Sequence, residues 1–162
     1  MTFDNSKTII SLRIKLFVAT VILLLYIFLT YAVNVIKYPV LGLGETAWTA
    51  ILVVCYLGLL FMPMYMNYQF VYFSDDGSNI IIRYFNSGIF GGKKNSVEIN
   101  KMTFSGYKSE KRFFGLIQSI TLYQRLNQGV AKYPPIYISA LTGKEKEKVI
   151  KSLNSYAPMI ED

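Results

Sequence analysis

The sequence predicts a membrane α+β protein, in which a two-helix transmembrane hairpin precedes a small antiparallel β-barrel or sheet capped by a C-terminal helix. Three observations predict this class. Apolar residues make up 52% of the 162-residue chain, and they are concentrated in its first 66 residues. The following segments alternate between apolar and polar residues with the period of β-strands, and the last segment changes to the period of a helix.

Two uncharged stretches, residues 16–36 and 46–66, are long enough to cross a bilayer, since a membrane span needs roughly 20 apolar residues. The first is longer than the roughly 7 to 15 apolar residues of a signal peptide, so we predict that it is a retained helix. Residues 1–15 are predicted to form a cytoplasmic N-terminal segment. The intervening loop is short and contains Pro39, Gly42 and Gly44, which suit a reversal between antiparallel helices.

The distribution of charge predicts the orientation of the chain. Lys7, Arg13 and Lys15 precede the first span, whereas the loop has Lys37 balanced by Glu45. After the second span, 13 Lys and Arg residues stand against 8 Asp and Glu residues. Because cytoplasmic flanks carry the excess of Lys and Arg, we expect a multi-pass membrane protein with both termini in the cytoplasm.

Residues 67–162 are predicted to form one cytoplasmic domain. The stretches "YQFVYFS" and "NIIIRYFN" have strand composition, and the "DDG" turn between them predicts a hairpin. Further strands are predicted in "VEINKMTFSGY", "SITLYQRL" and "PPIYISA". A helix is predicted at about 142–157, because Thr142 and Glu145 have the spacing of a capping box and Pro158 follows.

The segments "VYFSDDGSNIIIRY", "VEINKMTF", "SITLY" and "PPIYISALTGKEKEKVIKSLNSY" occur in an order that resembles the bacterial pleckstrin-homology-like (PH-like) domains of small membrane proteins. The resemblance covers about residues 68–156. It implies a PH-like fold for the domain, and members of this family are typically binding or scaffolding modules. Eukaryotic relatives bind phosphoinositides through a basic loop after the first strand. Here Asp75 and Asp76 occupy that loop, so we do not expect this mode of binding.

The composition argues against several classes of function. The chain has no His and one Cys, Cys55, so metal sites and His-dependent catalysis are not expected. No nucleophile has a candidate base and no cofactor motif is complete: "SGIFGGKK" has one residue too few for a phosphate-binding loop. We therefore predict a protein that is not an enzyme, with no metal or cofactor. The net charge of +7 comes without a nucleic-acid recognition helix or aromatic platform, so nucleic acid is not an expected partner.

A set of cations in the domain is a candidate contact for anionic lipid headgroups, and the alternative is an ordinary solvated surface, which we favour for each residue alone. These cations are Lys93, Lys94, Lys108, Lys111 and Arg112. Phe113 and Phe114 follow directly. For them the favoured interpretation is burial in the sheet core, and the alternative is contact with the membrane interface or a partner.

Three residues of the spans are candidates for helix–helix contacts. Ala50 and Gly58 are small enough to let a partner helix approach, and Asn34 could bond to the second helix or to a partner, or reach water.

The leading hypothesis is a non-enzymatic inner-membrane interaction or accessory subunit that presents a PH-like domain at the cytoplasmic face. Its expected partners are membrane lipids and another integral membrane protein or complex. Two alternatives are an anionic-lipid-binding platform and a membrane-bound immunity (toxin-neutralising) protein. The sequence does not predict the oligomeric state.

Overall fold

A computed structural model describes residues 1–88, 91–127 and 129–160. The chain divides into two compact units. One, here called the helical unit, is Ile10–Met62; the other, the globular unit, combines Met1–Ile9 with Pro63–Asp162. The start of the chain therefore folds with the segments that follow the second helix.

Among the described residues, two helices, α1 and α2, are long and apolar enough to cross a membrane. Helix α1 is Ser6–Ile27 and continues as a π-helical turn, Phe28–Ala32; α2 is Glu45–Tyr65. Helix α2 agrees with the predicted span 46–66 to within one residue. Helix α1 begins before the predicted span 16–36. The prediction started the span after the last charged residue, whereas the Lys and Arg residues before it are good helix formers and belong to the helix.

Hydroxyl groups join the two helices of the helical unit. Thr20 Oγ1 lies 2.9 Å from the hydroxyl of Tyr56. Thr49 Oγ1 lies 3.3 Å from the hydroxyl of Tyr26 and 3.0 Å from that of Tyr31. Such pairs satisfy polar groups on apolar helices. The sequence analysis did not identify them, because Thr and Tyr do not interrupt an apolar stretch.

The described residues of the globular unit form two antiparallel sheets. Sheet 1 has the strand order β1-β2-β3-β4, and in sheet 2 the central strand β6 pairs with β5, β7 and β8. The strands are β1 Thr2–Asp4, β2 Gln69–Ser74, β3 Asn79–Asn86, β4 Asn95–Asn100, β5 Phe104–Arg112, β6 Ile117–Leu126, β7 Gly129–Lys132 and β8 Ile136–Tyr137. This agrees with the predicted order of apolar helices, antiparallel strands and a C-terminal helix.

Strand β1 lies within the predicted N-terminal segment 1–15 and was not itself predicted. It pairs with β2 in the register Thr2↔Ser74 to Asp4↔Tyr72. Asn5, which is 1% exposed, then hydrogen-bonds to the backbone of β2. A three-residue strand is too short to show a period, and its partner is far away in the sequence, so local patterns could not reveal it.

One hydrophobic core joins both sheets to the C-terminal helix α3, Gly143–Asn154. Sheet 1 contributes residues such as Phe73 and Ile99, sheet 2 contributes Ile120 and Leu122, and α3 contributes Leu153. Alternate strand residues point into this core, which is why the strands have the two-residue period predicted from the sequence.

The predicted capping box at the start of α3 is present. The Thr142 backbone N–H donates to Glu145 Oε2 at 2.7 Å, and the Glu145 N–H donates to Thr142 Oγ1 at 3.4 Å. The helix ends at Asn154, three residues before the predicted end at 157. The helix thus begins where its polar start signal predicts.

Candidate functional site

The connection between β5 and β6 is an unusual turn, here called the hairpin tip (Phe113–Leu116). The two strands pair up to Arg112↔Ile117. The Gly115 N–H then donates to the carbonyl of Arg112 at 3.2 Å, which closes a tight turn. Phe113, Phe114 and Gly115 have φ angles of 49°, 55° and 86°, so three consecutive residues adopt left-handed conformations.

Two phenylalanines are costly in such a turn. A left-handed residue other than glycine costs roughly 1–2 kcal/mol, and turns of this hand usually use Asn and Gly. Strained conformations of this kind concentrate at functional sites. Asn34, Leu41 and Asn67 also have left-handed backbones, but at the hairpin tip two such non-glycine residues are consecutive, which makes the tip a candidate functional site.

The hairpin tip exposes its apolar side chains. Phe114 is fully exposed (108%), and Phe113 and Leu116 are each 57% exposed. The favoured interpretation from the sequence, that both phenylalanines are buried in the sheet core, is therefore wrong. The buried part of β6 begins at Ile117, the first residue after the turn. The left-handed turn lies beyond the core, so the aromatic rings lie outside it.

The hairpin tip lies beside the end of α2. The ring of Phe113 packs against the ring of Tyr65, with centroids 5.6 Å apart and planes inclined by 60°. Tyr65 is the last residue of α2, and it belongs to the same compact unit as the hairpin. This contact fixes the position of the tip relative to the point where α2 ends.

Cations flank the tip. Lys111 and Arg112 are exposed, and Glu110 contacts both Arg112 Nη2, at 3.1 Å, and Lys108 Nζ, at 3.8 Å. Burial, and then the charge of Lys111, lower the pKa of Lys146 in α3. This repulsion indicates that Lys146 lies near Lys111. The sequence analysis did not select Lys146, since it lies in a different segment.

The structure divides the predicted cationic set between two sheets. Lys108, Lys111 and Arg112 are on β5, in sheet 2. Lys93 and Lys94 are exposed and precede β4, in sheet 1. Only the first group is continuous with the hairpin tip.

The three predicted helix-contact residues do not build the contact between α1 and α2. Asn34 lies beyond the π-helical turn, is exposed and has a φ of 53°. Ala50 and Gly58 are exposed on α2, and a Cβ added at Gly58 would meet nothing within 4 Å. Their exposure leaves the surface around Ala50 and Gly58 open to another helix.

The acidic turn between β2 and β3 has internal partners. The Met1 ammonium contacts both Asp75 and Asp76, and Ser152 of α3 donates a hydrogen bond to Asp75. Burial raises the pKa of Asp75, but the bonds from the Met1 ammonium and Ser152 outweigh it, so that this pKa lies below its ordinary value. The turn thus ties β1 and α3 to sheet 1, which the sequence analysis did not foresee.

Among the described residues, no group of three or more His, Cys, Asp or Glu side chains could hold a metal ion. No protein-family model matches the chain, and no curated protein or solved structure matches it either.

Proposed function

We propose that this chain is a two-pass membrane protein that acts as a non-enzymatic interaction or accessory subunit, with a PH-like globular unit at the cytoplasmic face of a bacterial inner membrane. The observation that carries the proposal is the exposed, strained hairpin tip beside the end of α2. The two antiparallel sheets and the C-terminal helix support the PH-like assignment.

The hairpin tip has the chemistry of the membrane interface. When α2 spans a bilayer, Tyr65 lies at its interfacial end, where Tyr is enriched. Phe113 and Phe114 then enter the interface, and Lys111 and Arg112 meet anionic headgroups. Burial of one Phe side chain contributes about 1.5–3 kcal/mol, and each cation near an anionic surface contributes about 1 kcal/mol.

This contact holds the globular unit against the membrane at a second point. The first point is covalent, because only three residues separate Tyr65 from the start of β2 at Gln69. Two points of attachment restrict rotation of the unit about the end of α2. A globular unit held in this way presents a constant surface to a partner, which suits an accessory subunit.

A second candidate function is an anionic-lipid-binding platform. It is favoured by the continuity of Lys111 and Arg112 with the hairpin tip and by the nearby charge of Lys146. In that case lipid is the ligand itself, and binding falls as ionic strength rises, since salt screens exposed charges.

Recovery of a partner through α2 tests the accessory role. Purification of the full chain in mild detergent is expected to recover a stoichiometric integral membrane partner, and the variant Ala50→Leu/Gly58→Leu is expected to lose at least about 90% of it, because larger side chains prevent close approach of helices. Both positions are exposed, so the helical unit should still fold.

The matched control for this purification is Ile51→Leu, an exposed change of equal volume on the same helix, which should retain the partner. Recovery of the wild-type protein as a lone monomer in several mild detergents would contradict the accessory role. Retention of the partner by the double variant would exclude this surface of α2 as the contact.

A further inference from the structure

Sheet 1 carries a groove of about 390 Å³ on the face opposite its core. Its floor is the stacked pair Phe70 and Phe85, whose ring centroids are 4.8 Å apart. The rest of the surface, here called the aromatic groove, is lined by Tyr72, Arg83, Tyr84, Lys94, Asn95 and Ser96. The groove therefore combines aromatic rings, cations and a hydroxyl group.

Strand register explains why these residues lie together. Phe70 pairs with Phe85, and Tyr72 pairs with Arg83 across β2 and β3. Arg83 in turn pairs with Ser96 across β3 and β4. The residues between them, such as Val71 and Ile82, are buried in the core, so these paired residues are on the outer face.

The groove is positively charged. In residues 1–88, 91–127 and 129–160, no acidic residue lines it, and neither Arg83 nor Lys94 forms an ion pair. Arg83 lies over the ring of Tyr72, with its Cζ 5.8 Å from the ring centroid. Glu98, farther along β4, accepts a hydrogen bond from Asn79 at 2.7 Å. Two cations are thus available for an external carboxylate.

The groove borders an open strand edge. In the part of the chain that the structure describes, β3 is the only strand that pairs with β4, so β4 forms an edge of sheet 1. An edge strand presents unpaired backbone N–H and C=O groups that an extended peptide can join. Side chains of such a peptide alternate, so every second one would lie on the groove side.

We propose that β4 and the aromatic groove bind an extended acidic segment of a partner protein. The segment adds a strand to sheet 1. One of its carboxylates contacts Arg83 and Lys94, and an aromatic residue two positions along contacts Phe85. This inference rests on the proposed function and names the chemistry of the partner.

Charge complementarity distinguishes this occupant from a second copy of the chain. A second copy's β4 would bring one outer-face carboxylate, Glu98, which already accepts a hydrogen bond from Asn79, together with the cation Lys94. Self-pairing therefore brings as much positive as negative charge to the groove, so an acidic partner segment fits it better.

The test uses the full chain in nanodiscs of zwitterionic lipid and a fluorescein-labelled peptide, Ser-Thr-Glu-Val-Phe-Thr-Ser, in which Glu and Phe lie on one face of a strand. Fluorescence anisotropy should show saturable binding. The variant Arg83→Gln/Lys94→Gln should bind at least about tenfold more weakly, as expected for loss of charge-assisted bonds. The control Lys144→Gln/Lys148→Gln changes net charge equally at exposed positions of α3 and should bind like the wild type.

A second probe with the order Glu-Phe-Val places the carboxylate and the ring on opposite faces, and it should bind at least about tenfold more weakly. The inference is overturned if the first probe shows no saturable binding or binds the two charge variants equally. It is also overturned if the Arg83→Gln/Lys94→Gln variant loses binding to anionic vesicles but still binds the first probe like the wild type. A variant that changes only the self-association of the chain would overturn it as well. Recovery of the membrane partner is measured separately: a retained partner without probe binding refutes this inference alone, and a lone wild-type monomer refutes the proposed function.

Discussion

Replacing Asn5 with alanine is expected to lower the free energy of unfolding of the globular unit by about 3 kcal/mol. Asn5 Nδ2 donates to the carbonyl of Gln69 at 2.9 Å, and the Val71 N–H donates to Asn5 Oδ1 at 2.9 Å. Both bonds are buried, and alanine would leave a donor and an acceptor of β2 without partners. Each unsatisfied buried group costs about 1–3 kcal/mol.

Hydrogen exchange by mass spectrometry on the full chain in detergent measures this effect. Peptides that cover β2 should exchange roughly 100-fold faster in Asn5→Ala when exchange follows unfolding of the unit, since every 1.4 kcal/mol is about a factor of ten. The control is Asn95→Ala, because Asn95 is exposed and its amide makes one long bond, 3.3 Å, to Lys93. Exchange in Asn5→Ala equal to that of the control would show that β1 is not an integral strand.

Replacing Gly106 with alanine is expected to have one of two effects, whichever requires less free energy. Either the free energy of unfolding of the globular unit falls by about 3 kcal/mol, or the segment from Pro158 to Ile160, here called the C-terminal tail, detaches from β5. Gly106 has a φ of 139° and lies at a bulge in β5. An added Cβ would lie 2.9 Å from the carbonyl oxygen of Pro158 and 3.0 Å from the side chain of Ile160. The tail is held there because the Ile160 N–H donates to the carbonyl of Tyr107 at 2.8 Å.

Chemical denaturation together with hydrogen exchange at Ile160 separates the two outcomes for Gly106→Ala. A lower denaturation midpoint indicates strain that is retained in the folded unit, and faster exchange at Ile160 with a normal midpoint indicates a detached tail. Gly143→Ala is the control: its φ is not positive, an added Cβ meets nothing within 4 Å, and alanine favours the start of α3. The same midpoint and the same exchange at Ile160 in both variants would refute the predicted close approach.

Local patterns in the sequence predicted the helices and strands that are determined by residues close together in the sequence. Uncharged length predicted α1 and α2, strand composition predicted β2, two-residue alternation predicted β6, and the pair Thr142 and Glu145 predicted the start of α3. Strand β1 was missed because its stability depends on β2, which lies far away in the sequence. Propensity and period carry no information about such pairing.

The hairpin tip was mispredicted for a different reason. Aromatic residues next to a strand usually indicate core, and the usual residues of a left-handed turn, Asn and Gly, are replaced here by Phe113 and Phe114. The conflict between residue type and backbone conformation became visible only in the structure. Sequences depart from local rules most often at functional sites, which agrees with the role proposed for the tip.

The central claim is that the hairpin tip lies in the membrane interface, and the depth of residue 116 tests it most directly. In a Cys55→Ser background, a fluorophore is attached to Leu116→Cys at the tip or to Met102→Cys, which precedes β5 and is exposed. Strand β5 has 9 residues, and a rise of about 3.3 Å per residue separates the two sites by roughly 30 Å.

In liposomes that contain the full chain, spin-labelled lipid should quench the fluorophore at 116 strongly and the fluorophore at 102 weakly. Phe113→Ser/Phe114→Ser should remove the difference between the two sites. Equal quenching of both sites in the protein that retains Phe113 and Phe114, with both fluorophores open to an aqueous quencher, would contradict the account.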